Sequence, residues 1–211
     1  GRRDDSFARG VPFQENPKTG DARVAGTTAS LAGIEAGDPA GVDRVVLAHA
    51  IAMSTGGIPL LYLGDEVAQL NDPSYADDPA RRDDTRWVHR GQRPRDRYFQ
   101  RTDLETDAGR VFSRLTHLIA VRHQTPEFGG NDLVGFHVPN ASVLGYQRPG
   151  NNGQVVLALA NLGDEQVVVD PLTLSGFDRT AHDVVHNVDI DLDEGLVLSP
   201  HGFAWLRVRA L

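Results

Sequence analysis

The apolar positions between Ile58 and Leu63 stand in an almost uninterrupted row. Glycines at positions 56 and 57 precede this run, and Gly64-Asp65-Glu66 follows it. A short, almost uninterrupted apolar run with such boundaries is typical of a strand that is buried on both faces of a parallel sheet. We therefore predict a buried strand over Ile58–Leu63.

Helical patterns flank this predicted strand on both sides. Asp38-Pro39 supplies an N-cap and a first-turn proline, and the apolar helix that follows should end at the glycine pair. A second helix, with one apolar face, is predicted from Thr106 or Asp107 to a point before Pro126. The order helix, strand, loop, helix is one turn of a β/α architecture, in which the loops after the strands build the active site.

A long polar segment, residues 64–101, connects the predicted strand to the second helix. Paired acids at Asp77-Asp78 and Asp83-Asp84 alternate there with several arginines. Connections of this length are uncommon in compact domains, and they are more often functional or disordered than idle. Trp87 and Tyr98 favour an ordered segment.

The pattern changes from a period of 3.6 to a period of 2 after Gly129-Gly130, which predicts short strands. We expect strands over Leu133–Val138, Val143–Arg148, Gln154–Asn161, Gln166–Val169, Thr180–Val185, Gly195–Leu198 and Phe203–Val208. Turn sequences rich in glycine, proline and asparagine separate them. The last 85 or so residues are therefore predicted to form an antiparallel β-sandwich, which is a second domain.

The amino-acid composition argues against several classes of partner and location. The formal charge is −8, from 29 acids against 21 lysines and arginines, which disfavours nucleic-acid and anionic-membrane partners. The sequence has no cysteine, and no apolar run has the length of a membrane span. We expect a soluble protein of undetermined compartment and oligomeric state. Because residues 1–5 contain neither methionine nor an apolar targeting segment, we also expect a fragment of a longer protein.

Four side chains are candidates for chemistry. Asp65 and Glu66 follow the predicted strand, where they could be catalytic carboxylates or could hydrogen-bond neighbouring loops. Arg86 and Arg23 could each anchor a carboxylate or be an ordinary solvated charge, and composition alone favours the solvated charge.

Nucleotide and metal sites lack support in the sequence. It contains no phosphate-binding glycine motif and no His-Glu-x-x-His zinc motif. His182 and His186 are four residues apart in a predicted strand, a spacing that does not converge on a metal ion.

Several motifs resemble a known family. The segment 57–66, with the pattern Gly-x-Pro-x-x-Tyr-x-Gly-Asp-Glu, looks like the eighth barrel strand of the α-amylase superfamily, glycoside hydrolase family 13. Four flanking motifs resemble those of the amylosucrases in order and approximate spacing: residues 7–14, 20–24, 83–90 and 119–123. The resemblance is strong to about residue 128 and looser through the sandwich.

The resemblance implies the closing part of a (β/α)₈ TIM barrel followed by a β-sandwich. Residues 1–36 would end a subdomain inserted after barrel strand seven, residues 37–126 would close the barrel, and residues 127–211 would form the sandwich. Arg86 is similar to the arginine whose salt bridge to an upstream aspartate closes the glucosyl pocket. Arg23 is similar to an arginine on the acceptor side. Both are therefore expected to bind substrate.

The implied activity is transfer of glucose from sucrose to an α-1,4-glucan with release of fructose, by a retaining mechanism. The family draws its catalytic carboxylates from earlier barrel strands, so we expect this chain to contain no catalytic residue and to need no metal or cofactor. The expected partners are sucrose and an α-glucan acceptor. A sucrose hydrolase on the same scaffold and a non-catalytic carbohydrate-binding or structural module remain alternatives.

Overall fold

A computed structural model describes residues 6–211, which form two compact units. The first unit contains the chain up to Val46 together with Leu61–Leu115, and the second contains Leu47–Leu60 with Thr116–Leu211. Residues 1–5, on which the prediction of a fragment rested, lie outside the described residues.

The element bounds are as follows. The helices are α1 Thr28–Leu31, α2 Gly41–Ser54, α3 Arg95–Phe99, α4 Asp107–His123 and α5 Pro171–Leu174. The strands are β1 Val11–Phe13, β2 Arg23–Ala25, β3 Val134–Gly135, β4 Val143–Pro149, β5 Gln154–Asn161, β6 Val167–Val169, β7 Thr180–Asp183, β8 Val188–Asp191, β9 Leu196–Leu198 and β10 Phe203–Arg209.

The second unit contains the predicted antiparallel strands. Six of them form a sheet in the order β3-β4-β5-β10-β7-β8, and β6 pairs with β9 in a second sheet. Each run that we predicted from the period of 2 contains one of these strands. The sequence analysis missed β8, a four-residue edge strand whose positions are mostly exposed.

The core of the second unit fills the space between its two sheets. Leu157 and Leu206 on the central strands are fully buried, and they cluster with Val169, Leu196 and Leu198 of the smaller sheet. Inward positions alternate with outward ones along each strand, which is how a sandwich buries one face of each sheet. The other face of the large sheet carries Trp205, whose ring meets that of Phe128 edge to face at 4.7 Å between centroids.

The two long helices agree with the periodicity. Helix α4 begins at Asp107, as predicted, and helix α2 ends at Ser54, just before the glycine pair. Two arginines satisfy carbonyl groups at the end of α2: Arg148 Nη1 donates to Ser54 O at 2.7 Å, and Arg122 Nη1 donates to Met53 O. Cations at a helix C-terminus also complement its dipole, so this end of α2 is firmly held.

The predicted buried strand Ile58–Leu63 is wrong for this structure. No strand is assigned there, and Ile58, Leu60 and Leu63 are 97%, 85% and 68% exposed. A parallel strand is buried and hydrogen-bonded only when neighbouring strands cover it. Within residues 6–211 every strand pairing is antiparallel and none includes this segment. The apolar side chains therefore face solvent.

The first unit combines a two-stranded ribbon with the long polar segment. Strands β1 and β2 pair antiparallel in register Val11↔Ala25 to Phe13↔Arg23. The polar segment is ordered, as its aromatic residues indicated, and is built mainly from 3₁₀ turns at Asp65–Val67, Pro73–Asp77 and Thr85–His89. The last of these turns carries the candidate site.

Candidate functional site

The 3₁₀ helix Thr85–His89 sorts its side chains onto three sides. A 3₁₀ helix has three residues per turn, so side chains three positions apart lie above one another. Arg86 and His89 therefore share one side, and Thr85 and Val88 share another. Val88 is buried, and Thr85 Oγ1 donates to Pro12 O at 2.9 Å, so this second side ties the turn to strand β1.

Arg86 is held as a planar fork by the residue that caps its own helix. Its Nε donates to Asp84 Oδ1 and its Nη2 donates to Asp84 Oδ2, both at 2.8 Å. Asp84 Oδ1 also accepts from the Arg86 backbone N–H at 3.1 Å. The arginine's Cζ lies 5.1 Å from the centroid of the Phe13 ring, within the range of a cation–π contact. The guanidinium is thus oriented before any ligand arrives.

The same hydrogen bonds set the protonation states of Asp84 and Arg86. The Arg86 hydrogen bond lowers the pKa of the Asp84 carboxyl from 3.8 to about 2, and Asp84 in turn raises the pKa of Arg86. Both groups are therefore ionised across the whole physiological range. The side chains are 47% and 30% exposed, so a ligand can reach them.

Arg23 lies on the neighbouring strand, next to the same aromatic ring. It is directly opposite Phe13 in the β1–β2 register, and directly opposite residues share one face of an antiparallel pair. Arg23 is exposed, and it lines a cavity of about 270 Å³ together with residues 10–12 and 20–24. The structure thus places both arginines predicted from sequence near Phe13, Arg86 over its ring and Arg23 opposite it in the strand register.

His89 is a candidate that the sequence analysis did not single out. Its Nδ1 is buried and has no hydrogen-bond partner in the described part of the chain. The imidazole meets the Tyr62 ring edge to face, with centroids 5.9 Å apart. Burial and the charge of Arg90 lower the pKa of His89, so the ring is neutral at neutral pH. A buried nitrogen without a partner is costly, and a ligand or water can relieve that cost.

His89 stood in the quoted motif 83–90, but its role depends on the 3₁₀ turn. In an α-helix or a strand, a residue three positions after Arg86 would lie at a different angle. The three-residue turn places His89 on the same side as Arg86, whose charge contributes to lowering the His89 pKa.

Glu66 takes the second of its two open roles, as a hydrogen-bonding residue. Its Oε2 accepts from Gly64 N at 2.8 Å, and its Oε1 accepts from the Tyr98 hydroxyl at 2.5 Å. Arg93 lies over the Tyr98 ring at 4.1 Å. Glu66 therefore ties the turn after Leu63 to helix α3. Asp65 begins the same 3₁₀ turn, and its negative charge acts on His89.

Residues 6–211 carry no sign of a metal site or of a membrane-spanning helix. That range holds no group of three or more metal-ligating side chains suitable for an ion. His182 and His186 each contact an aspartate, Asp189 at 2.8 Å and Asp183 at 2.6 Å, rather than each other. Within the same range, no helix combines the length and the apolar character needed to cross a membrane.

Comparison with known proteins places this fold. No protein-family model matches the chain. Among solved structures, it is similar to AmyP in complex with maltose, at 15% identity and a TM-score of 0.66, over 85% of this chain and 38% of that one. The chain has the fold of part of this enzyme. It is also similar to an isomaltulose synthase from Erwinia rhapontici NX5, at 14% identity and a TM-score of 0.59, over 86% of this chain and 41% of that one.

A third neighbour is MutB in complex with its substrate sucrose, at 18% identity and a TM-score of 0.54, over 79% of this chain and 38% of the other. These neighbours are glycoside hydrolase family 13 enzymes, α-amylases and sucrose isomerases. At such identities the likeness concerns the fold, and the chain spans about two fifths of each neighbour.

Proposed function

We propose that the chain is the C-terminal part of an amylosucrase-type glucosyltransferase of glycoside hydrolase family 13. Its activity is transfer of glucose from sucrose to an α-1,4-glucan. In this proposal residues 1–36 end an inserted subdomain, residues 37–126 close a (β/α)₈ barrel, and residues 127–211 form the C-terminal sandwich. The orientation of Arg86 carries the proposal, because a fixed fork at the motif 83–90 is what a pocket for one glucosyl unit needs.

The exposed segment Ile58–Leu63 supports the barrel part of the proposal. A row of apolar side chains that no described strand covers fits a barrel strand whose neighbours come from other parts of a longer protein. Asp65 and Glu66 follow it after Gly64, at the end where barrel enzymes build their sites. The similarity to family 13 folds over most of the chain points the same way.

The contribution of this chain to the reaction would be binding rather than bond breaking. Retaining glycosidases use a nucleophilic carboxylate and an acid/base carboxylate roughly 5 Å apart, and other segments would supply both. A guanidinium has five N–H donors, of which Asp84 occupies two. The rest can bind sugar hydroxyls or a second carboxylate from outside the chain. His89, neutral and beside Arg86, can exchange a hydrogen bond with a hydroxyl.

Arg86 is the residue that tests the proposal. In the complete enzyme, Arg86→Ala should reduce kcat/KM for sucrose roughly 10²-fold, because it removes charged hydrogen bonds to the glucosyl unit. Arg86→Lys should not restore activity, since a point charge cannot reproduce the fork. Arg110→Ala is the matched control, because Arg110 forms a similarly exposed pair with Asp107 on α4.

The products formed from sucrose distinguish the transferase from the hydrolase. Sucrose alone should yield glucan and fructose, whereas glucose and fructose without glucan would identify the sucrose hydrolase instead. Arg23→Ala should shift the balance between glucan and free glucose more than it slows sucrose consumption. A folded Arg86→Ala enzyme within threefold of the parent would remove the basis of the assignment of Arg86 to the glucosyl pocket.

A further inference from the structure

A second cavity, of about 280 Å³, lies beside the same 3₁₀ helix but on a different side from Arg86. Its walls include Asp72, Tyr75, Asp78, Arg81, Trp87 and Arg90. The lining includes Trp87 and Arg90 but neither Arg86 nor His89. The cavity is therefore separate from the candidate site described above.

Trp87 forms the apolar wall of this cavity, and two arginines hold its ring. Cζ of Arg81 lies 4.6 Å from the ring centroid and Cζ of Arg90 lies 5.6 Å from it. Such cation–π contacts fix the orientation of the indole without removing it from the cavity lining. Arg81 is itself positioned by Asp78, whose Oδ2 is 3.2 Å from its Nε.

Asp72 supplies a hydrogen-bond acceptor in the lining of the cavity. Its Oδ1 accepts from the backbone N–H of Ser74 at 3.0 Å and from the Ser74 hydroxyl at 2.6 Å. Its Oδ2 lies against Gly91, where a Cβ would come within 2.7 Å of it. Because Gly91 has no side chain, the Asp72 carboxylate can lie against its backbone in the cavity lining. The hydrogen bonds from Ser74 set the orientation of that carboxylate.

The charges of the lining indicate the kind of ligand. The two arginines and two aspartates cancel, so the cavity offers no net attraction to an anion such as phosphate. Guanidinium groups only donate hydrogen bonds and carboxylates only accept them, whereas a hydroxyl does both. A neutral ligand with several hydroxyl groups and an apolar face matches a lining of this composition.

We propose that this cavity is a second sugar-binding site, which takes one neutral hexose unit with its apolar face toward Trp87 and its hydroxyls toward Arg90 and Asp72. The cavity is slightly smaller than the roughly 300 to 1,000 Å³ typical of drug-sized ligands, which fits a single ring. The choice of a sugar over other polyhydroxyl ligands rests on the proposed function. The unit can belong to free sucrose or to the end of a glucan.

The test is a titration of the 211-residue chain, followed by the indole N–H signals of its two tryptophans in ¹H–¹⁵N NMR spectra. Trp87→Phe assigns the signals. Sucrose and maltotriose are the sugar probes, and inorganic phosphate is the anion probe. Maltotriose at millimolar concentration should move the Trp87 signal and leave that of the buried Trp205 unchanged. Movement by sucrose as well would identify a site for any hexose unit, and movement by maltotriose alone a site for glucan ends.

Variants separate binding in the cavity from a general effect. Arg90→Gln should weaken maltotriose binding about tenfold, as expected for loss of a hydrogen bond from a charged donor. Arg110→Ala, on α4, should leave it unchanged. No movement of the Trp87 signal with either sugar, movement with phosphate alone, or equal binding by Arg90→Gln would overturn the inference.

The same spectra distinguish this inference from the proposed function. Arg86→Ala should keep the response of Trp87 to maltotriose, because Arg86 lies on another side of the helix. Failure of the sucrose assay together with a retained Trp87 response would reject the glucosyltransferase and keep the sugar site. An active enzyme whose Trp87 signal does not respond to sugar would keep the glucosyltransferase and reject the second sugar site.

Discussion

Removal of Arg207 should strongly destabilise the second unit, because it would isolate a buried carboxylate. Glu127 is only 7% exposed at its side chain, and both of its oxygens accept from Arg207, from Nε at 2.8 Å and from Nη2 at 3.1 Å. Burial raises the pKa of the Glu127 carboxyl, but the hydrogen bonds from Arg207, a backbone hydrogen bond and the charge of Arg207 together lower it by more, and the net shift is downward from 4.5. The carboxylate is thus charged, and its ion pair with Arg207 helps to hold it in that state.

The expected cost of Arg207→Ala is about 3 kcal/mol. Breaking a buried ion pair by removing one partner typically costs about 3 to 5 kcal/mol. The lower end applies here, because Arg207 is 28% exposed and water can partly replace it. Domains are stable by only about 5 to 15 kcal/mol, so the loss should be plain in an unfolding curve.

The pH dependence provides an independent check. A carboxyl whose folded pKa is lowered contributes stability above its unfolded pKa, and that contribution is lost as the pH falls through the folded value. The parent should therefore lose its advantage over Arg207→Ala as the pH falls below 4.5. The two free energies of unfolding should converge in acid.

Urea unfolding followed by Trp205 fluorescence measures this effect. Trp205 is buried against Phe128, the neighbour of Glu127 in the chain, and a Trp87→Phe background removes the other tryptophan signal. Arg179→Ala is the control, since Arg179 pairs with Asp191 while 69% exposed, and it should leave the unfolding curve nearly unchanged. An Arg207→Ala curve that matches this control, or a loss independent of pH, would refute the reasoning.

Two titrations test the electrostatics of the candidate site. In Arg86→Ala, the NMR titration midpoint of Asp84 should rise from about 2 toward 3.8, because the hydrogen bond that lowers its pKa is gone; an unchanged midpoint would contradict the pairing. His89 should titrate below 6.5, and Arg90→Ala should raise its midpoint. Since the folded state favours neutral His89, protonation should destabilise the first unit as the pH falls below 6.5, and a His89 midpoint at or above that value would show that the ring is not buried as described.

Local signals in the sequence determined the regular elements of this protein. The proline and glycine boundaries and the apolar faces of α2 and α4 are properties of neighbouring residues, and so are the short apolar runs of β5 and β10. Each segment's hydrophobic periodicity therefore predicted its helix or strand independently of the rest of the chain. The edge strand β8 escaped because its positions are mostly exposed and it has a neighbour on one side only.

Only the tertiary structure showed that the segment Ile58–Leu63 is exposed and which residues of the candidate site lie near one another. An apolar run indicates that a segment can be buried, but burial requires partner strands, and residues 6–211 provide none for it. The sequence marked Arg86 and Arg23 as candidates without a shared partner; the structure sets Arg23 opposite Phe13 in the β1–β2 register and Arg86 over the Phe13 ring. His89 lies on the same side as Arg86 because the turn is a 3₁₀ helix, which begins at the Asp84 cap and is tied to β1 by Thr85.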